Sequence, residues 1–517
     1  MNTWWRIRNG LSLVRDGSGW RIEGEGAERA CVAYAQREGD GISYRIGEKR
    51  VVPGFHQLDT KGAPVVLKSG TAVPRRATRF RTGTAYPSTG SGLAPSRGSR
   101  QAGAAGATDT RPANICMVAY THYEGDTRVM RYAESLAARG DRVDVLALRR
   151  QDDEPDVVMN GVNVTKVQTR VRDEKGKTSY LSRLLAFLSR SAWILEKRHR
   201  QLRYDLIHVH SVPDFLVFTA WLPQLAGAKV ILDIHDILPE FYASKFGSGP
   251  SSLSFKAMLM LERASARMAD HVIIANDLWW ERLVARSVDA DKCTTILNYP
   301  DRSIFRRNGN VKTREDGRFV MLYPGTLGWH QGLDIAIRAF ARIQNQEPGA
   351  EFHIYGGGSE KQNLIGLAHD LRLDNRVFFH EAVNLREIAK VMENADLGIV
   401  PKRGDSFGNE AFSTKTLEFM SLGVPLIVAG TAIDRHYFND SVVRFFRCGD
   451  EEDLAAAMLQ LIRDRQLRQQ LVSNGLEFAR AYDWESNKYK YLDLVDSLIS
   501  GKSRAKKLRV TAAASRS

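Results

Sequence analysis

Two glutamates, Glu410 and Glu418, are separated by seven intervening residues in the run FGNEAFSTKTLEFMSLGVP (407–425). Ser413 and Thr414 are good helix caps, because their hydroxyls can satisfy the free N–H groups of a first turn. KTLEFMSL then reads as helix, which leaves Glu410 in the preceding loop and Glu418 about one turn inside. The helix start presents free backbone N–H groups and the positive end of a dipole. That makes an anion site suited to a diphosphate. Lys415 adds a cation there, and a carboxylate on each side can accept hydrogen bonds from sugar hydroxyls. The plainer alternative is a capped amphipathic helix with two surface glutamates.

Such a site needs rigid elements around it. From Asn114, NICMVAY reads as a buried strand, RVMRYAESLAARG as a helix stopped by Gly140, and RVDVLAL as the next strand. This is a βαβ unit, the start of a doubly wound α/β sheet. Further buried strands are LIHVH (206–210), KVILDIH (229–235) and HVIIAN (271–276). A second series runs through FVMLYPG (319–325), EFHIYGG (351–357), RVFFHE (376–381), LGIVP (397–401) and PLIVAG (425–430). Two such series imply two Rossmann-like domains joined within 298–317. Ligands bind at the carboxyl ends of parallel strands, so the site belongs in the cleft between the domains. The expected organisation is an uncertain, low-complexity extension over 1–110 and an N-terminal domain over 111–300. A C-terminal domain follows over 301–483, then a crossover helix over 484–500 and a basic tail over 501–517.

The 407–425 run resembles the E-x7-E signature of family 4 retaining glycosyltransferases, of the kind that build exopolysaccharides and surface glycans. The resemblance covers about 113–500 and is strongest over 319–446. It implies the GT-B fold, two Rossmann-like domains facing a cleft, to which composition adds a mostly disordered N-terminal extension. It also implies that Glu410 contacts the donor sugar and Glu418 the ribose hydroxyls. ILDIHDILPEFY is similar to the family motif in which a histidine, here His235, faces the transferred sugar. Asp236 and Glu240 would orient it or bind the acceptor, although a strand-end histidine is often structural. In THYEGDTRV the family's glycine-rich loop is reduced to Gly125 beside Asp126. Arg128 either binds an acceptor phosphate or offsets the charge of Asp126. In YPGTLGWHQG, Gly325 matches, but Thr326 and Gln331 replace the usual arginine and lysine of the diphosphate clamp. Lys402, Arg403 and Lys415 are the available substitutes, since a departing diphosphate needs positive charge. Gly356 and Gly357 follow a strand and can approach a nucleotide closely. The backbone around Val383 would contact the base.

The distribution of charge argues against a nucleic-acid reading of the body. The net +14 is carried by +8 in residues 1–110 and +6 in 501–517, so 111–500 is neutral. The stretch 74–107 is rich in Gly, Ser, Ala, Thr and Arg and cannot bury a core. Over 1–70, runs such as VVPGF and PVVLK are strands of a small appendage or sequence upstream of a later true start. The N-terminus MNTWWRIRNG lacks an apolar signal region, and the four cysteines form no CxxC pair, which fits a reducing cytoplasm. YLSRLLAFLSRSAWILEKRHRQLR (180–203) carries six Arg/Lys and one Glu. It reads as a basic helix that packs on the N-terminal sheet or lies on an anionic membrane face. The expected partners are a nucleotide-sugar donor and a glycan or polyprenyl-linked acceptor, with no cofactor, no metal and no specific nucleic acid. Two other readings stay open: an inactive nucleotide-binding GT-B protein and a GT-B nucleotide-sugar epimerase.

Overall fold

The computed structural model describes residues 111–151, 153–169, 177–246, 251–307 and 316–501, with seven short strands between Trp5 and Leu67 given as backbone alone. Residues 1–106 and 107–517 form two separate compact units. In the first, the seven strands pair into one largely antiparallel sheet, and PVVLK supplies the strand Pro64–Leu67. The low-complexity stretch 74–107 and the tail beyond 501 lie outside the described residues.

The second unit opens with β1 (Asn114–Ala119), β2 (Arg142–Arg149), β3 (Asp156–Met159), β4 (Val162–Thr169), β5 (Leu206–His210), β6 (Lys229–Ile234), β7 (His271–Ile274) and β8 (Cys293–Thr295). Their order in the sheet is β3-β4-β2-β1-β5-β6-β7-β8, and every pairing except β3–β4 is parallel. The second half has β9 (Phe319–Pro324), β10 (Ala350–Tyr355), β11 (Val377–His380), β12 (Leu397–Val400), β13 (Leu426–Ala429) and β14 (Arg444–Phe446). These pair in parallel in the order β11-β10-β9-β12-β13-β14.

Parallel strands covered on both faces bury nearly every side chain, which is why they read as continuous apolar runs. Successive β-strand residues point to opposite faces. Accordingly Cys116 and Val118 of β1 join one hydrophobic core, while Ile115, Met117 and Ala119 join another. In β9, Met321 and Tyr323 part from Leu322 in the same way. Each half is thus a sheet between two apolar layers, and the strand order reverses beside β1 in one half and β9 in the other.

The β3–β4 hairpin is absent from the sequence reading. Strand β4 is VNVTKVQT, buried only at alternate positions, so it lacks the apolar run of its neighbours. Its turn is Asn160–Gly161, with φ of 49° and 81°. An Asn-Gly pair between alternating strands is a strong hairpin signal that could have found it.

The helix Lys177–Leu202 packs on the N-terminal sheet, burying Leu184, Phe187 and Leu195. Leu181, Leu185 and Trp193 remain exposed. No helix among the described residues is long and apolar enough to cross a membrane. At the other end, Trp484 and Tyr491, Leu494 and Val495 of the helix Tyr489–Ile499 enter a core of the N-terminal half. The two chain crossings between the halves touch each other. Trp484 N donates to Pro300 O at 3.3 Å, and Arg302 meets Asp483 at 3.1 Å.

Candidate active site

The helix Thr414–Ser421 begins as the caps indicate, with Ser413 at its N-cap. The Ser413 hydroxyl is buried, makes no cap hydrogen bond and has no other partner. The N–H groups of the first turn are therefore left without a side-chain cap, as an anion site requires. Thr414 hydrogen-bonds Glu418 one turn on. Burial raises the pKa of Glu418, against the opposing pull of Lys415, this hydrogen bond and Arg131.

Lys415 leans over the carboxyl ends of β9 and β10. Its Nζ lies 5.3 Å from the Tyr323 ring centroid. Gly325 sits directly below at φ +140°, and a Cβ there would fall 2.4 Å from Lys415 Cε. Gly356 closes in from β10; its Cβ would be 1.9 Å from Gly325 O. Only glycine lets these two strand-end turns and the lysine stack so closely. Burial, aided by Lys402, lowers the Lys415 pKa to about 8 although Glu418 opposes the shift. Gly357 is exposed beside this turn, and Val383 is half-buried in the loop after β11.

The other two proposed clamp substitutes are committed elsewhere. Lys402 is buried, with Nζ 2.8 Å from Asp434 Oδ2 and 2.6 Å from Ala411 O. Arg403 lies 3.6 Å over the Trp329 ring and donates to both oxygens of Asp334 at 2.6 Å. Both cations hold loops together. Of the three, Lys415 is the one outside any ion pair among the described residues.

The N-terminal half contributes a buried hub at Asp233, near the end of β6. Arg128 Nε and Nη2 donate to its two oxygens at 2.8 and 2.7 Å, and Arg128 Nη1 donates to Ile296 O at 2.9 Å. Arg128 is therefore a core residue, its guanidinium held chiefly by Asp233 and Ile296 O, with Asp126 a lesser favourable charge. Asp126 also caps the helix Thr127–Ala138, accepting from the N–H groups of Arg128 and Val129 at 3.2 Å. Gly125 lies exposed in the turn before it.

The same Asp233 accepts from His210 Nδ1 at 3.1 Å and His235 Nε2 at 3.0 Å. A carboxylate only accepts, so Nε2 of His235 carries hydrogen, and Nδ1 is the ring nitrogen left for a ligand. His235 is part-exposed at the strand end. Burial disfavours its charge, but Asp233 outweighs burial and raises its pKa. Burial raises the pKa of the neighbouring Asp236 carboxyl, with His235 pulling it down. His208, His210 and Asp233 have ligand-type atoms within 4.8 Å of one another. Their contacts already describe a hydrogen-bonded core: Arg128 takes both Asp233 oxygens, and Tyr491 OH lies 2.9 Å from His208 Nδ1.

The two halves meet around the Glu410 turn. Phe407 is buried in the N-terminal core, 5.7 Å from the Trp279 ring and 5.1 Å from Phe241. Asn276 caps the helix Asp277–Arg286 and donates from Nδ2 to Glu410 O at 3.0 Å. Arg282 of that helix reaches the Glu410 carboxylate. Sequence reading missed Asp233, Phe407 and Arg282. A charge inside the apolar strand KVILDIH marks Asp233, since buried charges are paired; nothing local marks the other two.

Residues 125–298 match the family described as Glycosyl transferase 4-like domain, and 305–478 match Glycosyl transferases group 1. A D-inositol 3-phosphate glycosyltransferase of Thermomonospora curvata is 24% identical over 392 residues, covering 71% of this chain and 88% of its own. A phosphatidyl-myo-inositol mannosyltransferase of Mycobacterium leprae is 23% identical, covering 69% and 88%. Among solved structures, a sucrose-phosphate synthase from Thermosynechococcus elongatus superposes with a TM-score of 0.63 at 19% identity, covering 75% of this chain and all of that one. The HepE protein of Anabaena in complex with UDP gives 0.55 at 18% identity, covering 74% and 100%. The two matched domains fall on the two Rossmann-like halves, so the chain carries a glycosyl transferase 4-like domain followed by a glycosyl transferases group 1 domain on a GT-B fold.

Proposed function

We propose that this protein transfers a sugar from a nucleoside-diphosphate sugar to a glycan or lipid-linked acceptor, with retention, in surface polysaccharide assembly. The observation that carries this reading is the convergence of Lys415, the uncapped N–H groups after Ser413 and the Gly325–Gly356 turn at one strand edge. Glu418 lies beside Lys415, and Glu410 stands in the loop that leads into the helix. A diphosphate leaving group placed there would meet a cation and a helix start that need no reorganisation as charge develops. Glu418 would hold the ribose and Glu410 the sugar. The acceptor would enter over the N-terminal half, past His235 and Asp236. Its hydroxyl oxygen would bond to the anomeric carbon on the face the diphosphate leaves. The proton would pass to the departing phosphate oxygen. The exposed Leu181, Leu185 and Trp193 beside basic residues support contact with a membrane that carries the acceptor.

A second reading has its own observation. The usual clamp positions are Thr326 and Gln331, and two of three substitute cations are ion-paired. That favours a nucleotide-binding protein without transfer activity. The test is nucleoside diphosphate release from UDP-, GDP- and ADP-sugars, with and without a lipid-linked glycan extract, using Glu418→Ala as control. Acceptor-stimulated release from one donor, lost in the variant, is expected, and proton NMR of the product should show the retained anomer. Binding without release from any donor would support the inactive reading; sugar-nucleotide conversion without acceptor would point to an epimerase.

A further inference from the structure

Both glutamates of the pair belong to the C-terminal half, yet each is approached by an arginine of the N-terminal half. Arg131 acts on Glu418 through its charge. Arg282 touches Glu410 directly, donating from Nη2 to Oε1. The other oxygen, Glu410 Oε2, is buried and has no hydrogen-bond partner.

Arg282 is itself held. Its Nη1 donates to Glu240 Oε1 at 3.3 Å. Glu240 is buried, and its Oε2 accepts from Arg286 Nη2 at 3.0 Å. Arg286 Nε in turn donates to the buried Glu262 Oε1 at 2.9 Å. Charges alternate along Glu262, Arg286, Glu240, Arg282 and Glu410, and all but the last belong to the N-terminal half. Glu240 therefore serves as the anchor of Arg282 and not as a partner of His235. The backbone of the same turn is held too, because Asn276 at the head of this helix donates to Glu410 O.

We propose that Arg282 is a positioning residue for donor-sugar recognition. It fixes one oxygen of Glu410 from across the cleft and leaves Oε2 to accept a hydroxyl of the transferred sugar. This rests on the reading that Glu410 contacts that sugar. A glutamate on a turn has several rotamers, and restraining one oxygen before the ligand arrives lowers the ordering cost of binding. A buried acceptor without a partner is costly, and a sugar hydroxyl satisfies it where a bare nucleotide cannot. The half that receives the acceptor thereby also selects the donor sugar.

The test compares Kd values of the full-length protein for UDP-glucose, UDP-N-acetylglucosamine, GDP-mannose and ADP-glucose with those for UDP, GDP and ADP. Arg282→Gln should weaken the sugar nucleotide that wild type binds by about tenfold while leaving the sugar-free diphosphate within about twofold. Glu410→Gln should do the same, and the double variant should add little, because the two act as one unit. Arg282→Lys should restore part of the loss. Thermal melting of each variant checks that it is folded. An unchanged sugar-nucleotide Kd in Arg282→Gln, with Glu410→Gln impaired, overturns the inference and leaves the function standing. Equal weakening of diphosphate and sugar nucleotide also overturns it, because it marks a merely structural role. No effect of Glu410→Gln, or no binding by wild type, overturns the proposed function and this inference with it.

Discussion

Asp233 Oδ2 accepts the Nε2–H of His235 at 3.0 Å, two residues on along the same strand end. Arg128 holds that carboxylate from behind, at 2.8 and 2.7 Å, so its position does not depend on the histidine. The ring is thereby fixed in one tautomer at the cleft edge, as a group facing a sugar needs to be.

That pair makes stability depend on pH. The folded-state pKa of His235 lies above the ordinary value of 6.5 because Asp233 outweighs the burial cost. Its stabilising contribution is full below 6.5 and is lost as pH rises through the raised folded value. Urea midpoints of wild type and His235→Asn should therefore converge as pH is raised from about 6 to about 8. A constant difference across that range would show that the ring gains nothing from its charge.

Lys415 reports the diphosphate site. Its pKa of about 8 means that the ammonium is lost in the range where most lysines stay charged. Nucleoside diphosphate affinity should fall as pH rises through about 8 in wild type, and the fall should vanish in Lys415→Gln. At neutral pH the variant should lose about 1.5–3 kcal/mol of binding, the range for a hydrogen bond to a charged group. Ligand-free stability should move the other way. The folded state disfavours the proton, so wild type gains on Lys415→Gln between about pH 8 and 10.5. Isothermal titration and urea unfolding across that range check both signs.

Lys402 makes a contrasting case within the same segment. It is buried against Asp434 at 2.8 Å and against a backbone carbonyl, so its removal leaves a buried carboxylate without its cation. Lys402→Met should cost about 3–5 kcal/mol of folding stability in chemical denaturation. At a temperature where the variant is folded, its diphosphate affinity should match wild type. A selective loss of affinity with unchanged stability would return Lys402 to the donor site.

Most strands of both Rossmann-like halves were legible because parallel strands buried on two faces must be apolar throughout, as in NICMVA and LIHVH, whereas the three-residue strands β8 and β14 are too short to show such a run. The start of the helix after Ser413 was legible from residue type and local pattern, although the Ser413 hydroxyl makes no cap hydrogen bond. The β3–β4 hairpin carries a weaker signal, because β4 alternates and has no continuous apolar run, although Asn160–Gly161 marks its turn. Among the cations, position at the helix start already favoured Lys415, but Lys402 and Arg403 read as equally available substitutes for the clamp. Only their tertiary partners set these two apart from Lys415, since Asp434 and Asp334 claim them.

What the sequence determined by itself is therefore whatever depends on neighbours along the chain: the periodicity of the strands, the helix start, and the E-x7-E spacing that sets Glu410 and Glu418 on either side of it. What only the tertiary structure decided is pairing across long separations. Arg128 meets Asp233 across 105 positions, and Arg282 meets Glu410 across 128. A charged side chain's role is set by which opposite charge the fold brings within reach, and that distance is encoded in the packing of both halves and in no local pattern.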